Sequence, residues 1–186
     1  MKKQKKQINI GIGEYYASNE GMVIYTLLGS CVAVCLFDPE NRIGGMNHIL
    51  MPGLPDMGRY DASARYGVNA MELLINGIMK LGGNRQKLVA KTFGGANVIP
   101  SIPKDRAMGG KIVEFVEKFL DAENIEIMSR DFGGYDTRKV YFHTDTGEVF
   151  LKRVSSLKSI ARKEQKRMER IKRQLEDGSD VTIFDS

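Results

Sequence analysis

Thr26-Leu27-Leu28-Gly29-Ser30-Cys31-Val32-Ala33-Val34-Cys35-Leu36-Phe37-Asp38-Pro39-Glu40-Asn41-Arg42-Ile43-Gly44-Gly45-Met46-Asn47-His48 is the stretch on which the reading of the fold turns. Val32 to Phe37 is a short apolar run, Asp38-Pro39-Glu40-Asn41 is a turn cluster, and apolar character resumes at Ile43. Two antiparallel strands joined by a tight turn are expected. With the turn centred between Pro39 and Glu40, Cys31 lies across from His48 and Cys35 across from Gly44. Directly opposed side chains of such a pair have β-carbons roughly 4.5–5.5 Å apart and share one face of the sheet.

Further along the chain, Val68, Met71, Leu74, Ile75, Ile78 and Met79 keep helical spacing and Gly82-Gly83 closes the segment. This predicts an amphipathic helix over 61–81, with Asp61 or Ser63 near its cap. Gln86 to Phe93 reads as a strand entering Gly94-Gly95-Ala96-Asn97. Without a Gly-x-x-x-x-Gly-Lys-Ser/Thr or Gly-x-Gly-x-x-Gly pattern, that glycine pair reads as a tight turn near the site rather than a phosphate cradle. A second helix is expected over 108–122, carrying Ile112, Val113, Val116, Phe119 and Leu120, followed by strands near 124–130, 137–144 and 148–154. Strands, helix, strand, helix, strands is the order of an α+β domain: a mixed, mainly antiparallel sheet with two amphipathic helices packed on one side.

Charge separates this body from its ends. Of a formal net charge of +5, residues 2–6 carry +4 and residues 155–175 carry +6, which leaves the remainder acidic at −5. Residues 155–175 also place Leu157, Ile160, Ala161, Met168, Ile171 and Leu175 on one stripe, so the division is a body over 8–154 and a basic C-terminal helical extension over 155–186. The extension admits three roles: docking on the body, binding a partner or a second copy, or attraction to nucleic acid or anionic lipid. Its lack of interleaved aromatics argues against single-stranded nucleic acid, and nucleic acid is not the expected partner. No apolar run reaches the roughly 18 residues of a membrane span, and the basic N-terminus lacks an apolar core, so no secretory signal is indicated and the expected location is the cytoplasm.

A thiol facing an imidazole is chemistry for attack on a carbonyl. A free thiol is only a few per cent thiolate at neutral pH and needs a neighbouring base, which His48 can supply. The Gly29-Ser30 step leaves the backbone free to turn, with amide groups available to a developing oxyanion. A third group must hold the imidazole's tautomer, and the nearby hydroxyl of Thr26 is the candidate. The competing reading is a core strand with two inert thiols, since cysteine is among the most buried residue types. Cys35, facing a glycine, reads as structural. His143 alternates with apolar neighbours in Lys139-Val140-Tyr141-Phe142-His143-Thr144 and reads as a strand residue. Two histidines and two cysteines show no Cys-x-x-Cys or His-x-x-x-His spacing, so neither a metal nor another cofactor is expected.

At these residues the chain resembles the CheD chemoreceptor glutamine deamidases of bacterial and archaeal chemotaxis. The resemblance runs over about 8–154, through Ile10-Gly11-Ile12-Gly13-Glu14-Tyr15, the Gly29-Ser30-Cys31 block, His48-Ile49-Leu50-Met51-Pro52, Gly94-Gly95-Ala96, Met108-Gly109-Gly110-Lys111-Ile112-Val113, Gly133-Gly134 and Thr146-Gly147. It implies Cys31 as nucleophile, His48 as base and Thr26 as the residue orienting the histidine. It further implies hydrolysis of glutamine side chains on receptor cytoplasmic helices, with release of ammonia and without a cofactor, and a CheC-like phosphatase as a possible partner. The alternative function is a binding module that captures a receptor helix or such a phosphatase with its thiol idle.

Overall fold

A computed structural model describes residues 5–50, 60–99, 101, 103, 107–154, 166–171 and 173, with the side chains of 60–65 outside the description. Met51-Pro52 of the quoted motif and residues 155–165 of the extension therefore lie outside the described residues. Nine strands and two helices succeed one another among the described residues: β1 (Lys6–Asn9), β2 (Tyr15–Ser18), β3 (Met22–Leu28), β4 (Val32–Asp38), β5 (Ile43–Ile49), α1 (Tyr60–Lys80), β6 (Val89–Gly94), α2 (Met108–Ala122), β7 (Glu126–Phe132), β8 (Thr137–His143) and β9 (Val149–Val154). The class is α+β, and the strands form two sheets. One has the order β1-β3-β8-β9 and the other β2-β5-β4-β6-β7. Only β1/β3 and β6/β7 pair in parallel among these neighbours.

The molecule is layered as helices, five-stranded sheet, four-stranded sheet. Val32, Val34, Leu36, Ile43 and Ile49 turn one face of the larger sheet to Met71, Leu74, Ile75 and Ile78 of α1 and to Ile112, Val116 and Leu120 of α2. Cys31, Ala33, Cys35, Met46, Leu50 and Phe93 turn the other face to Ile24, Leu28, Val140 and Phe142 of the smaller sheet. A strand buried on both faces has no polar alternation, which is why β4 is apolar from Val32 to Phe37. Gly44 and Gly45 let both layers close on β5: a Cβ on Gly44 would stand 2.8 Å from the Phe142 ring, and one on Gly45 2.7 Å from Leu74.

The hairpin forms, but in a different register. Val32 pairs with Ile49 and Asp38 with Ile43, so Ala33 faces His48, and Cys35 faces Met46 rather than Gly44. The reason is Asp38, which ends the strand instead of opening the turn. Its carboxylate accepts hydrogen bonds from the backbone amides of Glu40 and Asn41, both at 3.0 Å, from Asn41 Nδ2 at 2.8 Å, and from the Asn84 amide at 2.8 Å. Pro39 to Arg42 then make a four-residue loop that Arg42 closes with φ 55°. The slip is two residues, an even number, so each side chain keeps its expected face. Cys31 becomes the diagonal neighbour of His48, one step beyond the end of β4.

Other boundaries move by a few residues. Helix α1 begins at Tyr60, so Asp61 and Ser63 lie inside its first turn. Residues Arg85–Lys87 form a 3-10 turn capped by the Asn84 side chain, which delays β6 to Val89. Asn124 adopts φ 54° as the amide of Ile125 donates to the Leu120 carbonyl, which delays β7 to Glu126. His143 ends β8 with Lys5 Nζ 3.4 Å from its Nδ1.

Candidate active site

Three segments converge at one end of the two sheets. The turn between β3 and β4, Gly29 to Cys31, is clamped by the glycines after β6: the Gly95 amide donates to the Cys31 carbonyl at 2.8 Å and the Ala96 amide to the Gly29 carbonyl at 3.1 Å. Gly94 holds φ 119°, and a Cβ there would collide with the Cys31 carbonyl oxygen, so only glycine permits the approach. Gly94 is held in turn, its carbonyl accepting from the Gly133 amide at 2.9 Å while the Asn97 amide donates to Gly134 at 2.8 Å. Behind them the fully buried Arg138 donates to the Gly133 carbonyl at 2.6 Å, the Asp136 carbonyl at 3.1 Å and the Asp131 carboxylate at 2.7 Å. A buried guanidinium bonded to the end of β7 and to the loop that follows it fixes that loop, and through it the cysteine backbone.

His48 is placed with equal firmness. Its amide donates to the Glu14 carbonyl at 3.0 Å, and its carbonyl accepts from the Gly13 amide at 2.9 Å. Its ring crosses from the larger sheet to the smaller one, where Nδ1 lies 2.8 Å from Thr26 Oγ1 of β3. The Thr26 hydroxyl also lies 2.7 Å from the Ile10 carbonyl, an acceptor only, so its single proton goes there. The oxygen's lone pair then receives the Nδ1 proton, which leaves Nε2 as the basic nitrogen. Among the described residues Nε2 has no hydrogen-bond partner although it is buried. Burial first, and the charge of Arg167 second, push the His48 pKa down to about 3. The ring is therefore neutral at physiological pH.

Cys31 is fully buried and His48 is 3% exposed, and the register gives both the same face. The two cysteines form no disulfide. Burial pushes the Cys35 thiol strongly up, with Lys91 opposing, so this thiol stays protonated. Thr26, Cys31 and His48 are thus gathered at one end of the inter-sheet layer, and Cys35 lies deeper in the same layer.

Two further residues sit here that the sequence pattern did not single out. Tyr66 of α1 is close enough to Cys31 and to Arg167 for their charges to act on its phenol, which burial chiefly holds above its ordinary pKa. Its hydroxyl also abuts Gly13, 3.3 Å from where a Cβ would stand. Arg167 comes from the C-terminal helical segment, 166–171. There Met168 and Ile171 pack against the inter-sheet cluster that contains Cys31. Both Tyr66 and Arg167 lie off the apolar stripes of their helices, and spacing alone carried no sign of them.

Comparison with known proteins places this geometry. A family described as CheD chemotactic sensory transduction matches residues 51–153. The Shewanella oneidensis protein named "Probable chemoreceptor glutamine deamidase CheD 1" is 43% identical over 187 residues, covering 97% of this chain and 89% of that protein. Its namesake "CheD 2" from Chromobacterium violaceum is 42% identical, covering 92% and 87%, and the Hahella chejuensis protein is 45% identical, covering 78% and 69%. A solved structure of a Bacillus licheniformis hypothetical protein, YfiH, is similar over 63% of this chain and 49% of that one at 14% identity and a TM-score of 0.42, too distant for argument. On these matches the chain belongs to the CheD family.

Proposed function

We propose that this chain hydrolyses the side-chain amide of selected glutamines on chemoreceptor helices, using Cys31 as nucleophile, His48 as base and Thr26 as the residue that positions the imidazole. The names of its relatives, probable chemoreceptor glutamine deamidases, supply the substrate class. The observation that carries the reading is the Thr26–His48 contact. A hydroxyl already committed to the Ile10 carbonyl takes the Nδ1 proton and leaves the Nε2 lone pair for the thiol.

In the first half-reaction the Cys31 S–H proton moves to Nε2 and sulfur attacks the carboxamide carbon, forming a tetrahedral oxyanion. As that intermediate collapses, the C–N bond breaks and the imidazolium gives its proton to the departing nitrogen, so ammonia leaves and a thioester remains. In the second half-reaction Nε2 takes a proton from water, the hydroxide adds to the thioester carbonyl, and the C–S bond breaks to return the thiol and release glutamate. Proton, nucleophile and leaving group balance with water as the sole co-reactant.

The test is incubation of a receptor cytoplasmic fragment with the protein, reading ammonia and the mass change of amide to carboxylate by peptide mapping. Cys31→Ala and His48→Ala are expected to lose turnover by at least about 10²-fold, and Cys35→Ala is expected to retain most of it. Variants are compared only at matched melting behaviour, because deleting a buried thiol can destabilise a strand. A folded Cys31→Ala that converts glutamine at the parental rate rules out the covalent route through Cys31, whereas a folded parent that binds the fragment and releases no ammonia favours a binding module with an idle thiol.

A further inference from the structure

The site just described is closed. A thiol that must meet a glutamine on another macromolecule is fully buried, and its base is 3% exposed. The cover has an identifiable contributor. Met168 and Ile171, three residues apart and so on one helical face, pack half-buried against the cluster holding Cys31, Leu50 and Ile10. The surrounding Lys166, Arg167, Glu169, Arg170 and Arg173 are exposed. The cover is thus an amphipathic helical segment with a narrow apolar contact and a basic outer surface, which water tolerates when the contact opens. Arg167 sets its position at the site end of the cluster, because its charge acts on both His48 and Tyr66.

We propose that the C-terminal helix of this chain occupies the seat that the substrate helix takes beside Cys31 and His48, and must leave it before a receptor glutamine can enter. The inference rests on the glutamine deamidase reading for the identity of the displacing partner, whereas the position of the helix rests on the packing of Met168 and Ile171 together with the reach of Arg167 to His48 and Tyr66. Two amphipathic helices competing for one seat is helix-in-groove recognition with an intramolecular competitor. The closed state also opposes the chemistry. Buried as it is, and with the charge of Arg167 acting on it, the imidazole resists the proton it must take from Cys31. Displacement would lift both obstacles together.

An intramolecular competitor raises the apparent KM by the reciprocal of the open fraction and leaves kcat at saturation unchanged. The experiment uses the full chain carrying Met168→Glu and Ile171→Glu, which replace the apolar contact with charge, and Ile171→Ala as a milder variant. Three readings are taken: the rate of Cys31 alkylation by iodoacetamide, with Cys35 as the buried control; KM and kcat on a receptor fragment; and inhibition of the double variant by a peptide spanning residues 155–186. Expected are Cys31 alkylation faster by about tenfold or more with Cys35 still protected, KM lowered by a similar factor at constant kcat, and competitive inhibition by the peptide.

Unchanged alkylation and unchanged KM in a folded, active double variant would overturn the proposal while leaving the deamidase reading intact. Faster alkylation in a protein that never converts glutamine would leave the closure standing and remove the deamidase reading. Loss of cooperative folding in both the double variant and Ile171→Ala would show the helix to be a fixed part of the core, and overturns the proposal as well.

Discussion

His48 is tied to Thr26 by one nitrogen and held neutral by its surroundings, and both facts have measurable consequences. Thr26→Val keeps the shape of the side chain but removes the acceptor for Nδ1–H, which frees the ring to take the wrong tautomer. We expect kcat to fall by about 10²-fold with little change in KM, and Thr26→Ser to recover most of the loss, a pattern that simple destabilisation would not reproduce. The second consequence is thermodynamic. With a folded pKa near 3 against an ordinary 6.5, the unfolded chain binds a proton that the folded chain refuses between those values. Stability therefore falls as pH drops from about 6.5 toward 3, with a limiting slope of about 1.4 kcal/mol per pH unit. Urea unfolding of the parent and of His48→Gln at pH 7.0, 6.0 and 5.0 checks this on a scale of roughly whole pH units, and the variant should show the shallower decline.

Elements meet here through backbone, so small changes to backbone positions should have large effects. Gly94→Ala puts a Cβ into the Cys31 carbonyl at a φ of 119°. A cost of about 2 kcal/mol or more is expected in chemical denaturation, with activity impaired even in the folded fraction because the displaced partner is the peptide unit of Cys31, the proposed nucleophile. Asp38 tests the hairpin turn. Burial would raise its pKa, but hydrogen bonds from Asn41, Asn84 and Glu40 outweigh burial and hold it below the ordinary value. A carboxylate so depressed contributes stability that is fully present above about pH 4, the unfolded value, and is lost as pH falls through the lower folded value. Asp38→Ala strands several donors and should cost about 1–3 kcal/mol near neutral pH, and its stability profile should lack that acid limb. The turn itself was readable from Asp38-Pro39-Glu40-Asn41, but its register was not, because one of the bonds that make Asp38 a strand end comes from Asn84, far along the chain.

Across the whole molecule, the helical layer is joined at a point remote from the site. Arg85 forms a fork with Glu72 of α1, at 3.0 and 2.7 Å, and reaches Glu123 just past α2 at 2.6 Å, which ties the body of α1 and the C-terminal end of α2 to the 3-10 turn. The three side chains are each about a third exposed, so solvent and salt screen them. Arg85→Met should therefore lower stability by only about 1 kcal/mol, less in high salt, and leave turnover of a receptor fragment unchanged. Comparing unfolding at low and high salt checks the first expectation, and the ammonia assay the second. The basic extension belongs to this scale too. A segment that reads as an appendage by charge lies, through Met168 and Ile171, on the same cluster as Cys31.

By itself the sequence determined the two helices, the strands from β4 onward to within a few residues and the faces of the hairpin, because each is written in local periodicity or turn chemistry; it offered Thr26, Cys31 and His48 as candidates. The face survived a wrong register because strand side chains repeat every two residues and the slip was even. Only the tertiary structure decided that there are two sheets, since a strand apolar on both faces says that both are covered and not by what. It alone set Thr26 of the smaller sheet against His48 of the larger, brought Tyr66 and Arg167 to the candidate site, and laid Met168 and Ile171 against the cluster that holds Cys31. Those contacts join residues 22 or more positions apart, and long-range contacts follow from how whole layers pack rather than from the spacing of residues along the chain.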